Sequence, residues 1–247
     1  MLTLFTILKS MDDPHIAKIQ RNALRSWQKL PGVEILVFGD KPGTAEICAE
    51  LGLTHIPKIA SNKAGLEKVS DAFEQAWKRG KYDLMCYVNA DIILPPTFTD
   101  VIASINAETF LMVGQRQNTP IDFDMDFAPD WWTKLEAYAR GAGHRHTVNG
   151  IDYFVHRRGA FDPLPDLFVG MWYWDNVMIW KAQQLGIPVI DATEAILAVH
   201  QDHAYSHYAG GLSGIAGGEE SMANKRHLPE GVVRTVADAD LKLIPAF

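Results

Sequence analysis

Little in this chain points outward to a membrane, a nucleic acid or an oxidising compartment. It has only two cysteines in 247 residues, Cys48 and Cys86, each set among apolar or helix-forming neighbours and without metal-type spacing. No disulfide framework is expected, and reduced packing thiols in a cytoplasmic protein fit this usage. No dense Lys/Arg run occurs and the formal net charge is −7, which argues against nucleic acid or an anionic membrane as partner, since both need a concentrated positive face. Long hydrophobic runs are missing too. The apolar stretch 2–8 is too short to span a bilayer and no basic segment precedes it, so it reads as a buried strand.

What is present is an ordinary globular composition, 47% hydrophobic and 21% charged, enough for one large domain. Residues 2–8 form a continuous apolar and β-branched run of the kind covered on both faces of a sheet, and residues 33–38 form a second apolar run. Between them Asp13-Pro14 offers a cap and a first-turn proline, and Ile16, Ile19, Ala23 and Trp27 recur at helical spacing. A short helix over 44–51, a brief strand at 55–56 and an amphipathic helix over 66–79 follow. A strand then reaches Val88 and empties into Asn89-Ala90-Asp91. Helix 97–105 and strand 110–113 complete a strand–helix rhythm that predicts a mostly parallel α/β sheet with crossover helices.

After Gly114 the rhythm breaks. An acidic, aromatic loop over 122–130 precedes a helix over 131–139. A strand over 151–156, a helix over 174–185 and strands over 188–190 and 196–200 are expected. The run Gly210 to Gly218 holds no fixed conformation cheaply. The chain reads as one domain over 1–247, with a nucleotide-type half (1–115) and an irregular half (116–247) rich in aromatics, His and Asp, ending in a mobile segment.

In open parallel sheets ligands bind at the carboxyl ends of the strands. Asp40, Asn89 and Asp91 fall there. A carboxylate at that edge can hold a hard cation that bridges the phosphates of a nucleotide diphosphate, although an Asp after a strand equally caps a turn. Three histidines, His200, His203 and His207, lie within eight residues after a strand. Imidazole beside the Asp91 carboxylate suits Mn2+ better than Mg2+, while each His alone also reads as a hydrogen-bonded loop residue. Gly170-Met171-Trp172-Tyr173-Trp174-Asp175 places aromatics before an acid at a helix start. That suits a sugar-stacking surface with a base beside it, or else a core with Asp175 as helix cap. Asp152 gives a weaker signal of the same kind. Arg21, Arg25 and Arg116 are candidate phosphate contacts, and Asn62 joins them as a candidate donor contact.

Several segments in consistent order carry a family resemblance. They are Gln20 to Trp27, Phe38-Gly39-Asp40, Tyr87 to Leu94, Gly150 to Phe154, Trp174-Asp175-Asn176, Asp191-Ala192-Thr193 and His200 to His207. With these the chain resembles glycosyltransferases of the GT-A fold, in particular a group of small glycosyltransferase-like proteins. The resemblance implies a metal-dependent hexosyl transfer from a nucleotide-diphosphate sugar to a sugar-containing or small-molecule acceptor. Asn89-Ala90-Asp91 would stand for the family's Asp-x-Asp motif, with Asp91 as metal ligand and Asn89 in place of the first acid, one charge fewer. Asp40 would read the base or ribose, Asp175 would be the acceptor-side acid, and His200, with His203 as alternative, the C-terminal metal ligand. The glycine-rich run would resemble a loop closing over the donor.

Asp175 does not decide between retention and inversion. A nucleotidyltransferase remains an alternative, although residues 6–14 lack the glycine its loop uses. A nucleotide- or carbohydrate-binding protein without turnover is another, kept open by Asn89. A hydrolase built on the His cluster lacks a second His/Asp set.

Overall fold

The computed structural model describes residues 1–204 and 211–244. The first half alternates as its apolar runs predict: β1 (Leu2–Ile7), α1 (Pro14–Trp27), β2 (Val33–Phe38), α2 (Thr44–Leu51), β3 (Thr54–Ile56), α3 (Val69–Arg79) and β4 (Leu84–Val88). The chain continues through β5 (Ile92–Ile93), α4 (Phe98–Ala103), β6 (Leu111–Val113), β7 (Arg116–Thr119), α5 (Trp131–Ala142), β8 (His144–Arg145) and β9 (Tyr153–Arg157). It ends with α6 (Trp174–Gln184), β10 (Val189–Asp191), β11 (Ala198–Gln201), α7 (Gly211–Gly217), α8 (Glu219–Lys225) and β12 (Leu241–Lys242).

The main sheet has eight strands in the order β12-β10-β6-β9-β4-β1-β2-β3. Among the described strands of this sheet only β9 opposes its neighbours, pairing antiparallel with both β4 and β6. The remaining pairs are parallel. Helices cover both faces of the domain, as the continuous apolar strands require. On one face α3 and α6 bury Phe73, Trp77, Trp174 and Val177 against Phe5 and Tyr87. On the other, α1, α2 and α4 bury Ala23, Trp27, Ile47 and Phe98 against Leu4, Cys86 and Val155. The two cysteines are free and buried, and burial pushes the Cys48 thiol up to about 11.

Helix α1 starts where its sequence says. The Asp13 carboxylate accepts from the backbone N–H groups of His15 (2.8 Å) and Ile16 (3.3 Å), with Pro14 next to it in the first turn. Such a cap is worth about 1 kcal/mol. Pro31 and Gly32 (φ +68) then turn the chain into β2, where Leu2 N–H donates to Gly32 O at 3.1 Å.

Two features differ from expectation. A second sheet, β5-β11-β7-β8, stands where an irregular half was expected. The glycine-rich run, from Gly211 on, forms α7 and leads into α8 instead of remaining without a fixed conformation. The C-terminal end of α7 is held by burial of Ile215 and by Ser221 Oγ, which donates to Ile215 O at 2.6 Å. Helix α8 also grips the loop before α6: Trp172 N–H donates to Ser221 Oγ, and the Asn224 amide bonds Phe168 and Trp172. His207 and Gly210 lie outside the described residues.

Candidate functional site

Lys9, Asp40, Asn89, Asp91 and Arg116 all follow the carboxyl ends of parallel strands, and Asp152 precedes the antiparallel β9, so all six gather at one edge of the sheet. Strand register enforces this. Val88 pairs with Tyr153, which sets Asn89 against Asp152, and Asn89 N–H donates to Asp152 O at 2.9 Å.

Asp91 is 7% exposed, and its backbone and side chain are both fixed. Its carbonyl accepts from Gln201 N–H (3.1 Å) and from the Gln201 side-chain amide (3.2 Å). That amide is buried and also donates to Ile19 O, while Asn22 donates to its oxygen at 3.0 Å. Just beyond, Trp27 Nε1 donates to Ile92 O at 2.9 Å and anchors β5. Helix α1 therefore clamps the turn that carries Asp91.

Strand β11 supplies the histidines. His200 pairs with Ile92 across β5 and with Asn118 across β7, which points the end of β11 at Asp91. Asp91 Oδ2 lies 3.1 Å from His203 Nε2, 3.9 Å from His200 Nε2 and 3.1 Å from Lys9 Nζ. One ligand atom from each of Asp91, His200 and His203 falls within a span of 4.8 Å. Asp91 Oδ1 is buried without a hydrogen-bond partner. Burial opposes ionisation of this carboxyl, yet the charge of Lys9, the hydrogen bond with His203 and the charges of the two histidines hold it well below the usual carboxylate range. A partnerless buried oxygen next to two imidazoles is a donor set that fits a divalent cation.

Asp152 is 4% exposed and neutralised in place. Arg116 Nη1 reaches its two carboxylate oxygens at 3.2 and 3.1 Å, and Asn89 Nδ2 donates to Oδ1 at 2.6 Å. Arg116 also donates through Nε to Asn118 Oδ1. Asn89 and Arg116, both half-buried, and the buried Asp152 thus form one polar bracket joining β4, β7 and β9.

Asp175 sits in the first turn of α6, half-buried, with Oδ1 accepting its neighbour's Asn176 N–H at 2.9 Å. Burial pushes its carboxyl up to about 7, and the Asp152 charge adds to this against the Arg116 guanidinium. A helix N-terminus favours the anion by only about 0.3–1 kcal/mol, so desolvation wins. Tyr173, directly before this turn, has φ +76. A bulky side chain in the left-handed region costs about 1–3 kcal/mol, a strain that collects at functional sites.

The remaining sequence candidates divide. Asp40 is exposed after β2, beside the Lys41–Glu67 ion pair (2.7 Å). Arg21 and Arg25 are not brought to Asp91. Both face the solvent side of α1, Arg21 pairs with Glu50, and Arg25 lines a cleft of about 600 Å³ with Glu50, Lys29 and Phe127. The amide of Asn62 goes to Glu220 on α8 at 2.9 Å, and its oxygen accepts from Ala64 and Leu66 within its own turn. Trp174 is core rather than a stacking platform, 4% exposed with its ring 4.7 Å from Phe154 and 5.3 Å from Tyr87. Of that aromatic cluster Trp172 stays exposed.

Sequence reasoning assigned no role to Lys9, Gln20, Asn22 or Gln201. The available signal lay in α1, where the buried face carries Gln20 and Asn22 among Ile16, Ile19 and Ala23. Buried amides on an otherwise apolar stripe call for partners.

Comparison with solved structures finds proteins of similar fold. The glucosyl-3-phosphoglycerate synthase of Mycobacterium tuberculosis, solved with Mg2+ and UDP, aligns with 94% of this chain and 81% of that one at 13% identity and a TM-score of 0.54. The same enzyme with Mn2+, UDP and glucosyl-3-phosphoglycerate gives 12% identity and a TM-score of 0.53 over the same shares. A mannosyltransferase of Pyrobaculum calidifontis, solved with GDP-Man and Mn2+, aligns at 12% identity and a TM-score of 0.48. This chain spans 56% of that protein's length, with 81% of its own residues matched. No family model and no curated protein matches the chain. The chain has the GT-A fold, a single α/β domain built on a mostly parallel sheet.

Proposed function

We propose that this protein is a glycosyltransferase that moves a hexosyl group from a nucleotide-diphosphate sugar to a hydroxyl-bearing acceptor, using a divalent cation held at Asp91. The observation that carries this reading is the convergence of Asp91, His200 and His203 within 4.8 Å at the carboxyl edge of the sheet, with Asp91 Oδ1 buried and unpartnered. The edge is where open α/β sheets receive ligands. Two structures sharing this fold, those of the glucosyl-3-phosphoglycerate synthase, hold UDP together with Mn2+ or Mg2+.

When bound, the cation supplies positive charge against the diphosphate that departs from the sugar. Mn2+ suits the mixed carboxylate and imidazole set better than Mg2+, which prefers oxygen alone. Asp91 and one or both histidines hold it. Asp40, exposed at the end of β2, contacts the nucleoside. Asn89, Arg116 and Asp152 act as a bracket: their mutual bonds fix the end of β4 and set the Asp152 carboxylate, paired with Arg116, near Asp175. Asp175 takes the acceptor's proton, and a carboxyl titrating near 7 is matched to that task at neutral pH. The exposed Trp172, two residues before the strained Tyr173, offers a face for the acceptor. No helix among the described residues is long and apolar enough to cross a membrane, and with reduced buried thiols we place the reaction in the cytoplasm.

The test is a thermal-shift panel of UDP, GDP, CDP and their sugar conjugates, with and without Mn2+. A ligand that binds only the native state raises the melting temperature. Stabilisation by one nucleotide family, enhanced by Mn2+ in the native protein and not in Asp91→Ala, supports the reading. Absence of any nucleotide shift, with or without Mn2+, rejects it and favours a protein that binds other ligands.

A further inference from the structure

One cation is already built into this site. The Lys9 ammonium lies 3.1 Å from Asp91 Oδ2 and 2.9 Å from His203 Nε2, among the ligand atoms proposed to hold the divalent ion. Its presence there is not an accident of a free surface side chain. Gln20, 1% exposed on α1, accepts from Lys9 N–H at 2.6 Å and donates to Lys9 O at 3.0 Å, so both peptide groups flanking the Lys9 side chain are held. The backbone is fixed and only side-chain torsions are left to place the charge. The Lys9 side chain is also 34% exposed, whereas that of Asp91 is 9% exposed. The Lys9 side chain therefore reaches solvent more readily than the carboxylate it pairs with.

An ion coordinated by both Asp91 Oδ2 and His203 Nε2 needs the directions that the ammonium now uses. Two cations this close repel strongly, and the shared carboxylate can neutralise only one of them. Asn89 sharpens the conflict. With an amide where a second acid could stand, and with Asp152 already bonded to Arg116, Asp91 is the one carboxylate in the ligand set.

We infer that Lys9 is a resident counter-ion that competes with the divalent cation for Asp91 and His203 and swings toward solvent when the cation loads. This rests on the cation reading given above and adds to it a gate. In the closed state the ammonium keeps the buried carboxylate paired. In the loaded state the displaced ammonium remains tethered at the end of β1, at the edge where the diphosphate is received.

The test is isothermal titration calorimetry of the whole protein with Mn2+ alone, comparing the native protein with Lys9→Met, Lys9→Gln and Lys9→Arg, each checked by its melting curve. A neighbouring charge of this kind shifts a carboxylate's proton affinity by about one to three orders of magnitude, and its affinity for a divalent ion is expected to respond by at least the lower end of that range. Lys9→Met and Lys9→Gln are therefore expected to bind Mn2+ at least about tenfold more tightly, and Lys9→Arg to keep native-like weak binding. The two neutral variants safeguard against one failing to fold. Equal or weaker Mn2+ binding in the folded neutral variants overturns the gate while leaving the cation site standing. No Mn2+ binding in any variant, Lys9→Met included, overturns both the gate and the cation reading.

Discussion

Replacing Asp175 with Asn is expected to stabilise the protein at neutral and alkaline pH and to do so less as pH falls. In the folded chain burial pushes the Asp175 carboxyl up to about 7, whereas an unfolded Asp titrates near ~3.9. Below about pH 4 the group is protonated in both states and contributes nothing to the balance. Between about pH 4 and 7 the unfolded chain releases a proton that the folded chain keeps, so stability falls as pH rises. Above about pH 7 the full cost is present. Each tenfold difference in proton affinity is worth about 1.36 kcal/mol, which gives up to about 4 kcal/mol; partial solvent access at a half-buried group trims this to about 2–4 kcal/mol. Asn keeps the size and the acceptor for Asn176 N–H but cannot ionise. Urea unfolding of both proteins from pH 4.5 to 8.5 reads the difference directly. The expected result is a stability gain for Asp175→Asn that grows through this window and levels off above pH 7. A difference that stays flat with pH refutes the account, because it leaves Asp175 ionised normally and unsuited to act as a base near neutrality.

Other consequences are as specific. Arg116→Met removes the partner of a carboxylate that is 4% exposed and is expected to cost about 3–5 kcal/mol in chemical denaturation, while the double variant with Asp152→Asn recovers much of it. His156 is fully buried, stacked on Phe73, with burial pulling its imidazole down to about 4. The unfolded chain therefore takes up a proton first as pH falls from about 6.5 to 4, and stability drops in that window; His156→Leu is expected to flatten this acid limb in pH-dependent melting. Trp27→Phe removes the hydrogen bond to Ile92 O that anchors β5 beyond Asp91, and a loss of about 1–3 kcal/mol is expected, read by urea unfolding.

The first half of the fold was legible because its determinants are local. The strands over 2–8 and 33–38 are mainly apolar runs, interrupted only by Thr3, Thr6 and Glu34, α1 carries its own cap in Asp13, and α2 runs from Thr44 to Leu51 as its pattern predicts. Direction was not legible: residues 153–157 form a buried strand whether parallel or antiparallel, and only tertiary pairing sets β9 against β4 and β6. The second sheet escaped notice because its pieces lack a signature. β5 is two residues long, and β7, Arg-Gln-Asn-Thr, has no apolar alternation and owes its strand to β11. In the site, Asp91 and the histidines stood out by position and by clustering. Lys9 did not, since a lysine ending an apolar strand is ordinary until folding brings it against a partner 82 residues away in sequence. Trp174 was ambiguous in the other direction: an aromatic beside an acid reads equally as a sugar platform or as core, and its place on the inner face of α6 makes it core.

The central claim is that Asp91, His200 and His203 form the cation site through which a nucleotide-diphosphate donor is held. Crystals grown with Mn2+ and the nucleotide that gives the largest thermal shift, measured for anomalous scattering at the manganese edge, test it most directly. One strong peak is expected, bonded to an Asp91 oxygen and at least one of the two imidazoles, with diphosphate oxygens completing the shell and the Lys9 ammonium moved away. A nucleotide bound with no peak at Asp91, or a manganese peak held by other residues, contradicts it.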